Sequence, residues 1–393
     1  MSDEPIGVSM AQEDFEAPGW SPASHLFDCT RSQVSRSGSP VWLIALFSAT
    51  MALGMLACTS EETPIEPSGS PSQARAAVGT YVAVDLGTLG ARFQCCSEAF
   101  DINPVGQVVG SSTTANDEVH AFLWTKGIMT DLGTLGGVRS EARGINSSGQ
   151  VVGGSATAGG QSHAFLWANG VMTDLGTLGG NSSSADAINP SGQVVGSSAT
   201  AGFTPLHAFL WTNGVMRDLG TLGGTFSQAA DINPKGQVVG SSSTGEVLEG
   251  SGLEVFHAFL WENGVMTDLG TLGGCCSEGR GINPAGQVVG WSSTPEGTHA
   301  FLWEKGVMTD LGALGNASDA SSVASDINPA GQIVGSSNPV DRAHAVIWDK
   351  GVIVDIGLDF ESSEAAGINP AGQVVGTIEN IESEPHATLW TRN

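Results

Sequence analysis

The amino-acid sequence predicts an all-β protein, a seven-bladed β-propeller of four-stranded antiparallel blades closed by an N-terminal strand completing the last blade. Three observations predict it. A unit of roughly 44 residues recurs seven times. Each unit holds four short apolar runs punctuated by glycine, and the repeat region opens on a lone copy of the fourth run while ending without one. The first segment therefore completes the last set, which closes the circle and removes an exposed sheet edge.

The repeat is read from three signatures in fixed order. Asp-Leu-Gly, or Asp-Ile-Gly in the last copy, begins at Asp85, Asp131, Asp174, Asp218, Asp268, Asp310 and Asp355. Ile-Asn begins at Ile102, Ile145, Ile188, Ile232, Ile282, Ile327 and Ile368. HAFLW, varied to HAVIW and HATLW in the last two copies, begins at His120, His163, His207, His257, His299, His344 and His386. The candidate strands are S-x-A-x-x-I-N, QVVGSS, HAFLW and VMTDLG, here A to D. All are too short for helices.

Strands A and B are joined by N-P-x-G, as in Asn103-Pro104-Val105-Gly106. Asparagine accepts a turn hydrogen bond, proline fixes φ and glycine takes a positive φ, so the tetrapeptide closes a hairpin. Strands C and D are joined by x-x-G, as in Ala168-Asn169-Gly170, a second tight hairpin. HAFLW carries Phe and Trp on one side and Ala and Leu on the other. Each sheet is apolar on both faces and must be covered twice, which stacking accomplishes.

Composition agrees. The chain has 393 residues, 55 glycines, 40% hydrophobic and only 14% charged residues, so most of it is neither disordered nor highly solvated. Fourteen basic against 40 acidic residues give a net charge of −26, a field that repels polyanions and excludes nucleic acid as a partner. Cations, neutral sugars and basic proteins remain compatible with it, and the charge also keeps an apolar β protein soluble.

Residues 1–57 read as an N-terminal extension and signal peptide. The run VWLIALFSATMALGMLA at 41–57 follows Arg31 and Arg36 and precedes Cys58. A cysteine directly after a small residue resembles a bacterial lipobox, which makes Cys58 the expected lipidation site and the membrane contact a lipid anchor. The uncleaved alternative is a marginal membrane span. The first 33 residues are long and acidic for a leader, which points to a start near Val34. Residues 58–79, rich in Pro, Ser, Glu and Gly, read as a flexible tether, with the propeller over 80–393.

HAFLW, DLGTLGG and INxxGQVVG together resemble the HAF-repeat family of predicted extracellular bacterial proteins, over residues 80–393. That resemblance implies secretion and brings no established activity. The expected location is an outer-membrane or cell-surface lipoprotein, or otherwise a secreted protein, and the expected state is a monomer.

Loop lengths indicate where a site would lie. The A–B and C–D connections have the same length in all seven copies. The B–C connection varies from 9 to 17 residues and D–A from 11 to 15, counted between their flanking motifs. In an up-and-down sheet these two variable connections share one end, where binding sites concentrate. The longest, Ser243 to Phe256, carries Glu246, Glu249 and Glu254. At the start of strand A the position after the serine holds Glu98, Glu141, Ser184, Gln228, Glu278, Val323 and Glu364, and two residues on stand Arg143 and Arg280. These form a candidate axial ligand site of carboxylates with two arginines. The spacing matches no metal loop, and no metal or cofactor is expected.

Cys95-Cys96 and Cys275-Cys276 precede strand A of the first and fifth repeats in a shared CCSE; adjacent cysteines can bridge or bind a soft metal, and bridging within each pair is the preferred expectation. The histidines recur in every copy, which assigns them to structure, through a hydrogen bond to a neighbouring turn or to the DLG aspartate. No residue is identifiable as catalytic, and there is no G-x-S-x-G or nucleotide loop. The expected function is a non-enzymatic module binding a carbohydrate, peptide or protein. The alternatives are a glycan-active hydrolase or lyase using axial carboxylates and a purely structural envelope protein.

Overall fold

A computed structural model describes residues 81–90, 96–201, 205–248, 250, 252–315, 320–339, 342–379 and 384–393. The expected signal segment, Cys58 and the tether lie outside the described residues, as do Cys95 and Glu249.

Among the described residues there are 28 strands and no helix. The four segments expected per repeat are all strands. In the third repeat they span Ser183–Ile188, Val194–Ala199, Leu206–Thr212 and Val215–Asp218, paired antiparallel in that order. Four other sets form separate four-stranded sheets, while a lone parallel pair, Val119 with Arg139, joins the sets of the first and second repeats into an eight-stranded one. The first strand, Tyr81–Asp85, pairs with the last, Pro385–Arg392, from Tyr81 opposite Arg392 to Asp85 opposite Thr388. The first and last described strands thus share one sheet.

Seven apolar clusters lie between consecutive repeats. The Ala121 and Leu123 face of the first repeat meets Phe165, Trp167 and Met172 of the second, and each later junction repeats the arrangement. The last cluster brings Leu86, Ala387 and Leu389 against Phe122, Trp124 and Met129 of the first repeat. The two-sided hydrophobicity of HAFLW therefore serves two neighbours, and burial of a large side chain such as Phe122 contributes about 2–3 kcal/mol.

Polar side chains stitch the same junctions. Buried Asn103 donates from Nδ2 to the Asn146 carbonyl, and the pattern runs through Asn189, Asn233, Asn283, Asn328 and Asn369 back to Asn103. Each asparagine Oδ1 also accepts two N–H groups of its own turn, as from Ser191 and Gln193 to Asn189. The serine opening strand A accepts the alanine N–H of the preceding HAFLW, as Ser140 does from Ala121 and Ser97 from Ala387. The histidines hold the aspartates of strand D as expected, with His163 Nδ1 at 2.7 Å from Asp174 and His386 Nδ1 at 3.0 Å from Asp85.

The glycine of VVG has a separate reason. Strand A shifts register between its third and fifth residues in every repeat, as between Ala185 and Ala187. This bulge presses the carbonyl of the second residue onto strand B. A Cβ on Gly196 would stand 2.1 Å from the Ser184 oxygen, and one on Gly110 1.9 Å from that of Glu98.

Candidate functional site

Strand A runs from the end carrying the variable loops toward the invariant A–B turn, so its second and fourth residues lie nearest the loop end. Five expected residues gather there. Glu98 feels Glu141 and Glu364 as like charges and Arg139 and Arg143 as opposite ones. Arg143 spans two carboxylates, with Glu141 Oε1 at 2.8 Å and Asp186 Oδ1 at 3.1 Å. Gln228 adds a side-chain hydrogen bond to Asp186. Arg139 stands 3.7 Å from Glu141.

Burial raises the Glu98 carboxyl to about 7, with Glu141 and Glu364 adding to it. Burial also raises Asp186, to about 6, against the lowering effect of Arg143. For Arg143 burial opposes the charged form, but Asp186 and Glu141 outweigh it and hold the guanidinium above its ordinary value. Near neutral pH the cluster therefore combines a fixed cation with two carboxyls, Glu98 and Asp186, raised toward the range where they exchange protons.

The remaining expected residues are elsewhere. Glu278 and Arg280 pair with each other at 2.9 Å. Opposite Glu278 on strand B stands Trp291, whose ring meets Phe256 edge-on at 5.9 Å and 81°. Glu254 accepts from Thr225 at 3.2 Å, which ties the long hairpin of Val238–Val247 and Glu254–Glu262 to the neighbouring D–A connection, while Glu246 is exposed. The cysteine pairs differ from each other. Cys96 is disulfide-bonded. Cys275 and Cys276 are free thiols, Cys276 Sγ donating to Cys275 Sγ at 2.9 Å, so the bridge expected within this pair is not formed. Burial and that hydrogen bond push the Cys276 thiol up to about 11, which keeps it protonated and unreactive at neutral pH.

Sequence reasoning missed Asp186 and a deeper carboxylate set. Asp186 occupies in the third repeat the position of Arg143 in the second. Opposite charges at equivalent positions of consecutive repeats must meet when the repeats stack, and that signal was present. One residue further along strand A stand Asp101, Asp231 and Asp326. Each takes its own isoleucine N–H on one oxygen and that of the next repeat on the other, as Asp231 does with Ile232 at 2.7 Å and Ile282 at 2.8 Å. The next repeat always carries glycine there: Gly144, Gly281 or Gly367. A Cβ on Gly281 would lie 3.0 Å from the Asp326 Cα. Their repetition and backbone anchoring make these aspartates structural. Among the described residues no group of three or more His, Cys, Asp or Glu is arranged to hold a metal ion.

No family profile matches the chain, and no curated protein is detectably similar. Solved structures do resemble it. The β-propeller domain of the trilobed protease from Pyrococcus furiosus, described as having an open velcro topology, aligns over 75% of this chain and 93% of its own, with a TM-score of 0.51 and 11% identity. The fold is a β-propeller. A puromycin-hydrolysing peptidase from Mycobacterium tuberculosis aligns over 80% of this chain with a TM-score of 0.50 and 11% identity, and the propeller described here spans about half of that protein, 54%. At such identities the likeness concerns the propeller alone. Unlike a propeller described as open, this one pairs its first and last strands.

Proposed function

We propose that this chain is an exported, lipid-anchored, seven-bladed propeller that binds a polar ligand, a carbohydrate or a peptide or protein segment, at the loop end of its axis. The observation that carries the reading is the convergence of Glu98, Glu141, Arg143, Asp186, Gln228 and Glu364. Arg143, Asp186 and Gln228 break the repeat symmetry among recurring glutamates, and they do so at the one end where connection lengths vary. A scaffold repeated seven times has no structural need for Arg143 between two carboxylates, since Ala230 and Ala366 fill the same position in other repeats. An acidic opening with one fixed guanidinium suits hydroxyl-rich or cationic groups. The seven-blade count is supported by the seven-membered asparagine cycle and the seven inter-repeat clusters. The motif around Cys58 supports anchoring, and the three repeat signatures support placement among the HAF-repeat proteins.

The test is binding of the full chain to an array of neutral glycans and basic peptides, repeated with Glu98→Gln and Glu141→Gln. Both changes keep the side-chain shape. The expected result is a ligand whose affinity falls about tenfold in each variant, the loss of one charge-assisted hydrogen bond. Unchanged affinity would remove the axial site. A second reading, glycan cleavage, is favoured by the Glu98 carboxyl, which burial raises to about 7 and so keeps able to donate a proton. Under that reading, reducing ends are released and Glu98→Gln abolishes their release.

A further inference from the structure

At the opposite end of the propeller, between the third and fourth repeats, lies a cleft of about 360 Å³. Gln193, Leu210 and Arg217 line it from the third repeat, and Lys235, Trp261, Glu262 and Asn263 from the fourth. Its volume falls within the range of small-ligand sites.

Two residues set this junction apart from the other six. Arg217 sits in strand D where Thr130, Thr173, Thr267, Thr309, Val84 and Val354 stand in the other copies. Lys235 sits in the A–B turn where Val105, Ser148, Ser191, Ala285, Ala330 and Ala371 stand. Each is the only basic residue among seven equivalents, and stacking puts both into the same junction. Exchange for threonine or alanine leaves the scaffold intact, as the other repeats demonstrate, so the fold requires neither charge.

The geometry holds both charges available. The Arg217 guanidinium lies over the Trp261 ring at 5.6 Å, a cation–π contact that restricts its rotamers while leaving the side chain exposed. None of the ion pairs among the described residues uses Arg217 or Lys235; Lys126, Lys350 and Arg392 are outside them as well, but each sits in a different repeat, whereas these two meet in one cleft. In a chain of net charge −26, two cations in one cleft against the single carboxylate of Glu262 form a local exception to the repulsion of anions. The rest of the lining offers the amides of Gln193 and Asn263, the Glu262 carboxylate and the partly buried Leu210. Amides and a carboxylate suit hydroxyl groups, and a single small apolar patch suits the C–H face of a pyranose rather than a lipid or an aromatic drug.

We propose that this cleft binds an acidic saccharide, its carboxylate gripped between Arg217 and Lys235 and its hydroxyls held by Gln193, Asn263 and Glu262. The site stands apart from the axial one in position and in charge, so either can fail without the other.

Calorimetric titration of the full chain with trigalacturonate tests it, with neutral galactotriose and a tri-aspartate peptide as comparison probes. The variants are Arg217→Thr and Lys235→Ala, each restoring a residue that other repeats carry, with melting curves to verify the fold. The expected result is one trigalacturonate per chain, weakened about tenfold or more by each substitution and untouched by Glu141→Gln, with no binding of the neutral sugar. Absence of trigalacturonate binding, binding that survives both substitutions, equal binding of galactotriose, or a preference for the peptide would each overturn the proposal.

Discussion

Asp101, Asp231 and Asp326 show how a residue can support a fold while carrying a charge that works against it. Each carboxylate joins two repeats through backbone N–H groups, yet burial and mutual repulsion raise Asp231 to about 8 and Asp101 to about 7, with Asp326 raised as well by burial. A carboxyl whose folded pKa exceeds its unfolded value of 3.8 binds protons more tightly when folded. The stability it contributes is present in full below that value and is lost as pH rises through about 7 and 8. The propeller is therefore expected to be less stable at pH 9 than at pH 6. The side chains keep partial solvent access, which limits the difference to about 2 kcal/mol. Asp231→Asn retains one of the two N–H contacts and cannot ionise, so it lowers stability at pH 6 but shrinks the pH difference. Denaturant unfolding at the two pH values measures both quantities. Equal or greater stability at pH 9 in the parent chain would contradict the assignment.

At the scale of one strand pair, the bulge in strand A decides what strand B can be. Adding a methyl group to Gly196 sets it 2.1 Å from the Ser184 carbonyl oxygen, a contact that only backbone movement can relieve. Gly196→Ala is expected to cost about 3 kcal/mol or to prevent folding, read from chemical unfolding. The nearby Ala199→Gly, without such a clash, is expected to cost about 1 kcal/mol. The strands themselves were legible because short apolar runs punctuated by glycine, Asn-Pro-x-Gly and x-x-Gly are local signals, and so were their order and the role of the repeated histidines. The bulge was not, because an invariant glycine reads equally well as a turn residue until the opposing carbonyl is located. The axial cluster was half legible. Position along strand A identified Glu98, Glu141 and Arg143, but the segregation of Glu278 and Arg280 into a pair of their own depends on side-chain directions. The Arg217–Lys235 cleft was not legible, because varying loop length marks only the other end of the propeller, whereas these two charges sit in connections and strands of constant length.

Across the whole propeller, closure couples residues that are far apart in the chain. Tyr81–Asp85 pairs with Pro385–Arg392, Leu86 enters the cluster joining the seventh and first repeats, and Asp85 accepts from His386. Removing this segment exposes one edge of the last strand and opens an apolar cluster, both of which invite pairing with another chain. Other contacts across the closure remain, since Ser97 still holds Ala387 and Asn369 still reaches Asn103. A chain lacking residues 81–90 is therefore expected to fold its repeats, to melt several degrees lower, and to form larger species than the full chain does at the same concentration. Size-exclusion chromatography with light scattering reads the oligomeric state, and circular dichroism reads the melting temperature. Supplying the missing strand as a separate peptide should reverse both effects, because the edge it leaves is specific in register. If the shortened chain keeps the full chain's oligomeric state and melting temperature, the first strand is an ornament and the polar and apolar junctions close the circle without it.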